Sequence, residues 1–428
     1  MTGSPTITVT GTLTETAEDD GSPTVTPTIT PTPTPTGPPV VIPLIISQPT
    51  PPGYGPDIFP YNINPLTGLQ VDDPALLERR PFAIKVVNYP RTVRPQSGLS
   101  LADNVYEYYM ERGISRFIAV FYGNDAPRVG PIRSGRFFDE HIFRMYDAFF
   151  AFGYADERIA DYFETLGDYW VQSLVLDPGE NPQQCNPERP LWFCRDFGLV
   201  TYNNLFGNTA EMQRIVSRRS FGNHRPDLTG RRYAARPPAG GALALDVRVR
   251  FSIINYCKWD YDVASGRYLR YAETYGYADT SIEEYAPLID AATGQHIAAD
   301  NIVVLFTPYM FFVKTPTTEI VNVPLYGDGQ AFVFRDGFAY PAVWVRPESG
   351  ILQLYGLDGE IFPLKPGNTW FEVISTESTI VNGAIDWRFT HVMPPDPETP
   401  INVAGENAPW GIYDPVEVLG EDWQGGGD

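Results

Sequence analysis

Three apolar, β-rich segments follow residue 57 and predict strands. Phe82–Val87 is a short continuous apolar run, as expected for a buried strand. Val105–Met110 and Ser115–Tyr122 are separated by the triplet Glu111–Gly113, a spacing typical of a hairpin whose glycine takes a positive φ. The pattern therefore predicts three strands of one sheet.

Helical periodicity follows these strands. One helix is predicted by apolar residues that recur at spacings of four and three, namely Phe138, Ile142, Met145, Phe149 and Phe152. Two further helices are predicted by the same criterion, at Ile159, Phe163 and Leu166 and at Met212, Ile215 and Val216. Ser134 is a candidate N-cap for the first helix, because Asp139 and Glu140 follow where a helix favours negative charge. Strands interleaved with helices predict an α/β domain with a mixed sheet over residues 58–230.

The period changes to two beyond the Pro- and Gly-rich segment Arg231–Gly241, which we interpret as a linker. Val247–Phe251 alternates apolar and charged residues. Hairpin turns are predicted by Asp-Gly pairs, at Asp328-Gly329, Asp336-Gly337 and Asp358-Gly359. We therefore expect a β-rich second domain over residues 242–392.

Both ends of the chain have the composition of segments without a core. Residues 1–57 are rich in Thr, Pro and Ser and predict a disordered stalk, and residues 393–428 predict a Pro-rich acidic tail. Thr/Pro stalks hold a domain away from an anchor, so we expect an extracytoplasmic protein, either surface-anchored or secreted. Met1 is followed by no signal region and no lipobox cysteine. We therefore expect membrane attachment only through an anchor that this sequence lacks.

Composition narrows the possible partners. The 428 residues are 43% hydrophobic, enough for sizeable cores, and carry a formal net charge of −21. That charge argues against nucleic acid as a partner. Lysine occurs only four times, so arginine supplies most of the positive charge, and its planar fork suits carboxylate and phosphate.

The three cysteines predict one disulfide. Cys185 and Cys194 flank a Pro-rich loop that is short enough to be closed by a disulfide, and the alternative is two free thiols. If the disulfide forms, Cys257 is predicted to be a buried free cysteine. Four scattered histidines and the absence of a C-x-x-C motif predict neither a metal site nor a cofactor.

The best candidate for binding chemistry is the turn Arg133–Arg136. If Ser134 caps the helix, free backbone donors and two guanidinium groups would face one anion such as phosphate, pyrophosphate or carboxylate. Arg94, Arg116 and Arg195 are predicted to converge there from other loops. Asp103 and Glu107 are the acids of this region. In the alternative interpretation the arginines only pair with these acids or with Asp139.

Several ordered motifs resemble the YerB-like family of bacterial envelope lipoproteins, whose molecular function is not established. They are Asn64–Gly68, Arg94–Gly98, Gly130–Ser134, Asn301–Val304 and Gly367–Trp370. The resemblance implies histidines in relatives where this chain has Phe152 and Asn203, which makes a binding role more plausible here than general-base catalysis, with Asn204 as a further candidate contact. The layout is also weakly similar to envelope phosphotransferases of the LytR-CpsA-Psr type.

Three functions follow from these observations. The leading hypothesis is a binding module for an anionic cell-wall or lipid-linked ligand, or for an envelope protein partner. The alternative is a metal-dependent phosphoryl or glycosyl-phosphate transferase acting on a lipid-linked substrate, with Asp103 or Glu107 holding the metal. A pure scaffold is the third. The sequence leaves open whether the protein is an enzyme.

Overall fold

The computed structural model describes residues 53–166, 182–218, 222–347 and 349–402. Nearly all of the predicted stalk and most of the predicted acidic tail therefore lie outside the described residues. The described residues all belong to one compact unit. Within these ranges, every helix is too short or too polar to cross a membrane.

The helices and strands are numbered along the described chain. The α-helices are α1 (Phe138–Met145), α2 (Glu157–Thr165) and α3 (Thr209–Arg218). The strands of the first half are β1 (Phe82–Val87), β2 (Asn104–Glu111), β3 (Ile114–Phe121), β4 (Phe149–Ala151), β5 (Phe193–Arg195), β6 (Leu205–Gly207) and β7 (Arg232–Tyr233). Those of the second half begin with β8 (Ala242–Leu243), β9 (Asp246–Arg250), β10 (Tyr256–Asp262), β11 (Arg267–Glu273), β12 (Tyr285–Pro287), β13 (Ala298–Ala299), β14 (Asn301–Thr307), β15 (Met310–Lys314) and β16 (Glu319–Asn322). They end with β17 (Gly327–Arg335), β18 (Phe338–Arg346), β19 (Gln353–Gly356), β20 (Pro363–Leu364), β21 (Thr369–Ser375), β22 (Thr379–Asn382), β23 (Asp386–Thr390) and β24 (Ile401–Asn402).

A large mixed sheet joins the two halves of the sequence. Among the described residues it contains ten strands, in the order β19-β18-β17-β14-β21-β2-β3-β1-β4, with β8 on β18. Strands β2, β21 and β14 run parallel, as do β1 and β4. The α/β region thus contributes one end of the sheet and the β-rich region the other, and they meet where β2 pairs with β21.

The two faces of this sheet are covered differently. On one face Tyr108 packs against Phe138 of α1, with ring centroids 4.3 Å apart. On the other face Phe117 contacts Trp370, which contacts Trp259 of a second sheet. That sheet has the order β12-β11-β10-β9-β23-β22, with β13 on β11. The fold therefore has a mixed sheet with few helices and a strand-rich C-terminal part, as the sequence predicts.

The predicted hairpin is confirmed, since β2 and β3 pair antiparallel around Arg112 and Gly113, whose φ angles are 49° and 80°. The first predicted helix was too long. It ends at Met145 because Asp147 takes a φ of 48°, and the chain then enters β4, where Phe149 pairs with Phe82.

Two other local predictions were wrong. Ser134 does not cap α1, which begins four residues later at Phe138. Asp328-Gly329 lies within β17 and forms no turn, because both residues pair with β18. The Asp336-Gly337 turn between β17 and β18 is confirmed.

Candidate functional site

The turn Arg133–Arg136 is held from both sides by main-chain hydrogen bonds. Arg133 N donates to the Lys85 carbonyl of β1 at 3.1 Å, on the β1 edge that β3 does not occupy. Gly135 N donates to the Tyr154 carbonyl at 2.8 Å. The turn therefore has a defined position beside the sheet, which fixes the origins of its two arginine side chains.

Three of the predicted arginines meet at this turn. Arg116 of β3 donates from Nη1 to the Ser134 carbonyl at 2.7 Å. Arg133 donates from Nη1 to the Tyr202 carbonyl at 2.6 Å. Arg136 donates from Nη1 to the carbonyl of Gly135 at 2.8 Å. We call these three side chains the arginine cluster.

The guanidinium groups of the cluster lie close enough to repel one another. Burial lowers the pKa of Arg116 well below its usual range, and the positive charges of Arg136 and Arg133 lower it further, whereas the negative charge of Glu111 opposes the shift. Burial also lowers the pKa of Arg133, with Arg136 adding to the effect. Like charges gathered in a partly buried place are typical of sites that bind a counter-charge.

Acidic compensation at the cluster is incomplete. Arg136 pairs with Glu111, with 2.7 Å between Nη2 and Oε1. Arg116 is only 4% exposed, yet no carboxylate of the described residues lies within 4.0 Å of its guanidinium group. Arg133 likewise has no carboxylate of the described residues within 4.0 Å. The Nε atoms of both are buried and lack a partner among the described residues. The carboxylate of Glu111 pairs with Arg136 and also opposes the pKa shifts of Arg116 and Arg133, so it offsets part of the positive charge of the cluster and leaves the rest unbalanced within the described chain.

A buried ion pair lies beneath the turn. Lys85 Nζ is 2.7 Å from Asp139 Oδ1, and both side chains are fully buried. Tyr108 OH donates to the same oxygen at 2.8 Å, and Arg136 N donates to Asp139 Oδ2 at 2.8 Å. Burial lowers the pKa of Lys85 to about 7, although Asp139 opposes that shift. Sequence reasoning did not include Lys85 among the site residues, and its signal was a lysine within an otherwise apolar strand.

Arg94 and Glu107 lie away from the cluster, and each forms an ion pair with a different residue of the second sheet. Arg94 Nη2 is 2.8 Å from Glu273 Oε1. Glu107 accepts a hydrogen bond from Arg270, which also donates to Glu372 at 2.9 Å. These contacts join the large sheet to the second sheet, so both residues stabilise the fold.

Among the described residues, one group has the spacing of metal ligands. Ligand atoms of Glu107, Cys257 and Glu372 lie within 4.8 Å of one another. Arg270 bonds both carboxylates, however, and burial raises the pKa of the Cys257 thiol well above its usual range. Burial, followed by the charge of Glu107, raises the pKa of Glu372 to about 8. This chemistry suits one buried guanidinium better than a metal ion.

Asp103 lines a different site. Asn64 Nδ2 donates to its Oδ1 at 2.8 Å and Gly123 N to its Oδ2 at 3.0 Å. Burial raises the pKa of Asp103 to about 6. With Arg267 and Asp300 it borders a polar cavity of about 420 Å³, which none of the arginine cluster lines.

Arg195 and Asn204 bond to each other at the base of the β5–β6 hairpin, with 2.8 Å between Nη1 and Oδ1. Cys185 and Cys194 form a disulfide beside them. Phe152 and Asn203, the positions where the resemblance implies histidines, are near the turn. A Cβ on Gly135 would lie 3.3 Å from Phe152, and Asn203 follows Tyr202, whose carbonyl accepts from Arg133.

Comparison with known proteins identifies the class. The family described as "Protein of unknown function (DUF3048) N-terminal domain" matches residues 66–222, and its "C-terminal domain" matches residues 247–371. The chain belongs to this two-part YerB-like family.

The YerB protein of Bacillus subtilis illustrates the similarity in both sequence and structure. The chain is 24% identical over 313 residues to "Putative lipoprotein YerB" of strain 168, covering 72% of this chain and 85% of that protein. The crystal structure of YerB protein from Bacillus subtilis has the same fold, with a TM-score of 0.55 and 21% identity, over 73% of this chain and 96% of that chain.

Proposed function

We propose that this protein is an extracytoplasmic cell-envelope protein that binds an anionic ligand through Arg116 and Arg133, with Arg136 beside them. The Thr/Pro-rich N-terminal sequence and the similarity to a protein named as a lipoprotein support the location. The ligand class is an oxyanion, either a phosphate ester or a carboxylate.

The observation that carries the proposal is the lack of carboxylate partners for two adjacent arginines in the described chain. Arg116 and Arg133 both donate to main-chain carbonyl groups and leave Nε without a partner. Guanidinium groups bind phosphate and carboxylate through paired hydrogen bonds. The negative charge of a bound oxyanion would offset the repulsion between the two arginines.

The proposal includes no catalytic step. A metal-dependent transferase would need Asp103 or Glu107 near the arginines. Glu107 bonds to Arg270 between the two sheets, and Asp103 borders a separate cavity. No contact among the described residues favours that alternative.

Thermal unfolding of the full chain tests the proposal, with phosphate, pyrophosphate and succinate added separately. A ligand at about 100 times its dissociation constant should stabilise the fold by roughly 2.7 kcal/mol. Arg133→Gln should abolish that gain and lower the unliganded melting temperature only slightly, because Arg133 loses its hydrogen bond to the Tyr202 carbonyl but has no acidic partner among the described residues. Arg214→Gln is the matched control, since Arg214 lies on α3, is well exposed and pairs only with Glu211 among the described residues. Equal stabilisation of both variants, or of neither variant nor the wild type, would contradict the proposal.

A further inference from the structure

Two exposed tyrosines accept hydrogen bonds from the arginine turn through their main-chain carbonyl groups. The carbonyl of Tyr202 accepts from Arg133 at 2.6 Å, and the carbonyl of Tyr154 accepts from Gly135 N at 2.8 Å. The side chains of both tyrosines are exposed. The main chain of each tyrosine thus fixes the cationic turn, while an aromatic ring remains available next to it.

Tyr202 belongs to a larger apolar surface. Residues 197–202, which we call the apolar tip, lie between β5 and β6 and contain four large apolar residues that are 44% to 77% exposed, namely Phe197, Leu199, Val200 and Tyr202. Single exposed apolar side chains are ordinary on protein surfaces. Four within six residues concentrate exposed apolar surface on one loop, and concentrated apolar surface is typical of interaction sites.

The base of the apolar tip is closed by specific bonds. Asp196 N donates to the Asn204 carbonyl at 2.8 Å, and the side chains of Arg195 and Asn204 are also bonded. The Cys185–Cys194 disulfide lies immediately before this base. The exposed side chains are therefore presented by a hairpin with a defined base, directly attached to the arginine cluster through Tyr202.

We infer that this combined surface binds a lipid phosphate, with the phosphate on Arg116 and Arg133 and the hydrocarbon chain on the apolar tip. This inference rests on the proposed anion site and adds its substrate class. An amphiphile is the ligand whose two halves match a local cationic site and an adjoining apolar patch. Because the whole chain carries a net charge of −21, adsorption to an anionic membrane surface is disfavoured in comparison with capture of one lipid phosphate at this site.

Calorimetry of the full chain with methyl, butyl and octyl phosphate tests the inference, each ligand kept below its aggregation threshold. Affinity should rise by about two- to fourfold per added methylene until the tip is covered. The double variant F197S/Y202S should bind methyl phosphate as the wild type does and lose the dependence on chain length. The control V263S/L357S changes two residues that are 80% and 73% exposed elsewhere, and it should retain that dependence.

The outcomes separate this inference from the proposed function. Methyl phosphate binding with no dependence on chain length would overturn the lipid assignment and leave the anion site intact. Chain-length-dependent binding that Arg133→Gln does not weaken would overturn both. A final experiment measures binding of the protein to vesicles of equal parts phosphatidylcholine and phosphatidic acid. If the protein binds them through Phe197 and Tyr202 but does not bind octyl phosphate, the tip recognises a membrane surface and the single-lipid inference is wrong.

Discussion

Arg116 donates a hydrogen bond to the main-chain carbonyl of Ser134 at 2.7 Å, and among the described residues no carboxylate lies within 4.0 Å of its guanidinium group. Arg270 is equally buried, yet it donates to both Glu107 and Glu372. An arginine paired with acids, such as Arg270, stabilises the fold. We attribute a ligand to Arg116 because the charge of its guanidinium group is not balanced by an acidic partner among the described residues.

Replacing each of these two arginines by methionine should separate the two roles. Arg270→Met leaves the buried Glu107 carboxylate without its cation and Glu372 without its hydrogen-bond donor, and it should lower the free energy of unfolding by roughly 3–5 kcal/mol. Arg116→Met removes a charge that lacks an acidic partner and should cost less than about 2 kcal/mol, the loss of one hydrogen bond and some packing. Urea denaturation measures both. Equal losses would show that Arg116 is a structural residue.

Stability should depend on pH through Glu372. Its carboxyl has a pKa of about 8 in the folded protein against an ordinary value of 4.5, so the folded state retains a proton that the unfolded chain releases. The contribution of this group is therefore complete below about pH 4.5 and is lost as pH rises towards 8, by at most about 1.4 kcal/mol per pH unit. Glu372→Gln should remove this decline, measured as urea midpoints across that range. An unchanged pH dependence in the variant would contradict the assignment.

Gly135→Ala should perturb the turn. An added Cβ would lie 3.0 Å from Phe163 Cε2 and 3.3 Å from Phe152 Cδ2, so the free energy of unfolding should fall by about 1–3 kcal/mol. Displacement of Arg133 and Arg136 should also weaken anion binding in calorimetry. Gly222→Ala is the control, because the nearest heavy atom would be 3.8 Å from its Cβ, and it should leave affinity unchanged.

The C185S/C194S variant should loosen the base of the apolar tip. The two cysteines are nine residues apart, and opening such a loop should cost about 2–3 kcal/mol. Calorimetry with the alkyl phosphates should show a weaker dependence on chain length while methyl phosphate affinity is retained, because the described hydrogen bonds of the arginine cluster go to Ser134, Tyr202 and Gly135 rather than to the cysteines. If octyl phosphate binds the variant as tightly as the wild type, the disulfide has no part in presenting the tip.

Local patterns predicted local structure well. The alternation around Glu111–Gly113 was enough to place the β2–β3 hairpin, since both strands and their turn are contiguous. The Phe138 periodicity continued through Phe149 and Phe152, but positive φ at Asp147 and pairing with β1 placed those phenylalanines in or beside a strand. Periodicity alone does not distinguish these outcomes, because both bury the same residues.

Long-range pairing limited what the sequence could predict about the site. Arg94 and Arg116 look alike along the chain, but Arg94 meets Glu273, which lies 179 positions later. Among the described residues, the guanidinium group of Arg116 hydrogen-bonds to the Ser134 carbonyl and has no acidic partner within 4.0 Å. Such partners depend on the packing of the two sheets, so sequence alone left the structural and ligand-binding interpretations of the arginines open.

The decisive measurement is the location of a bound oxyanion. Crystals of the protein soaked in tungstate would reveal it by anomalous scattering. We predict that the strongest peak lies within hydrogen-bond distance of Arg116 and Arg133 and that it disappears in crystals of Arg133→Gln. A strongest peak beside Arg267 in the Asp103 cavity, with none at the turn, would contradict an anion site at the arginine cluster.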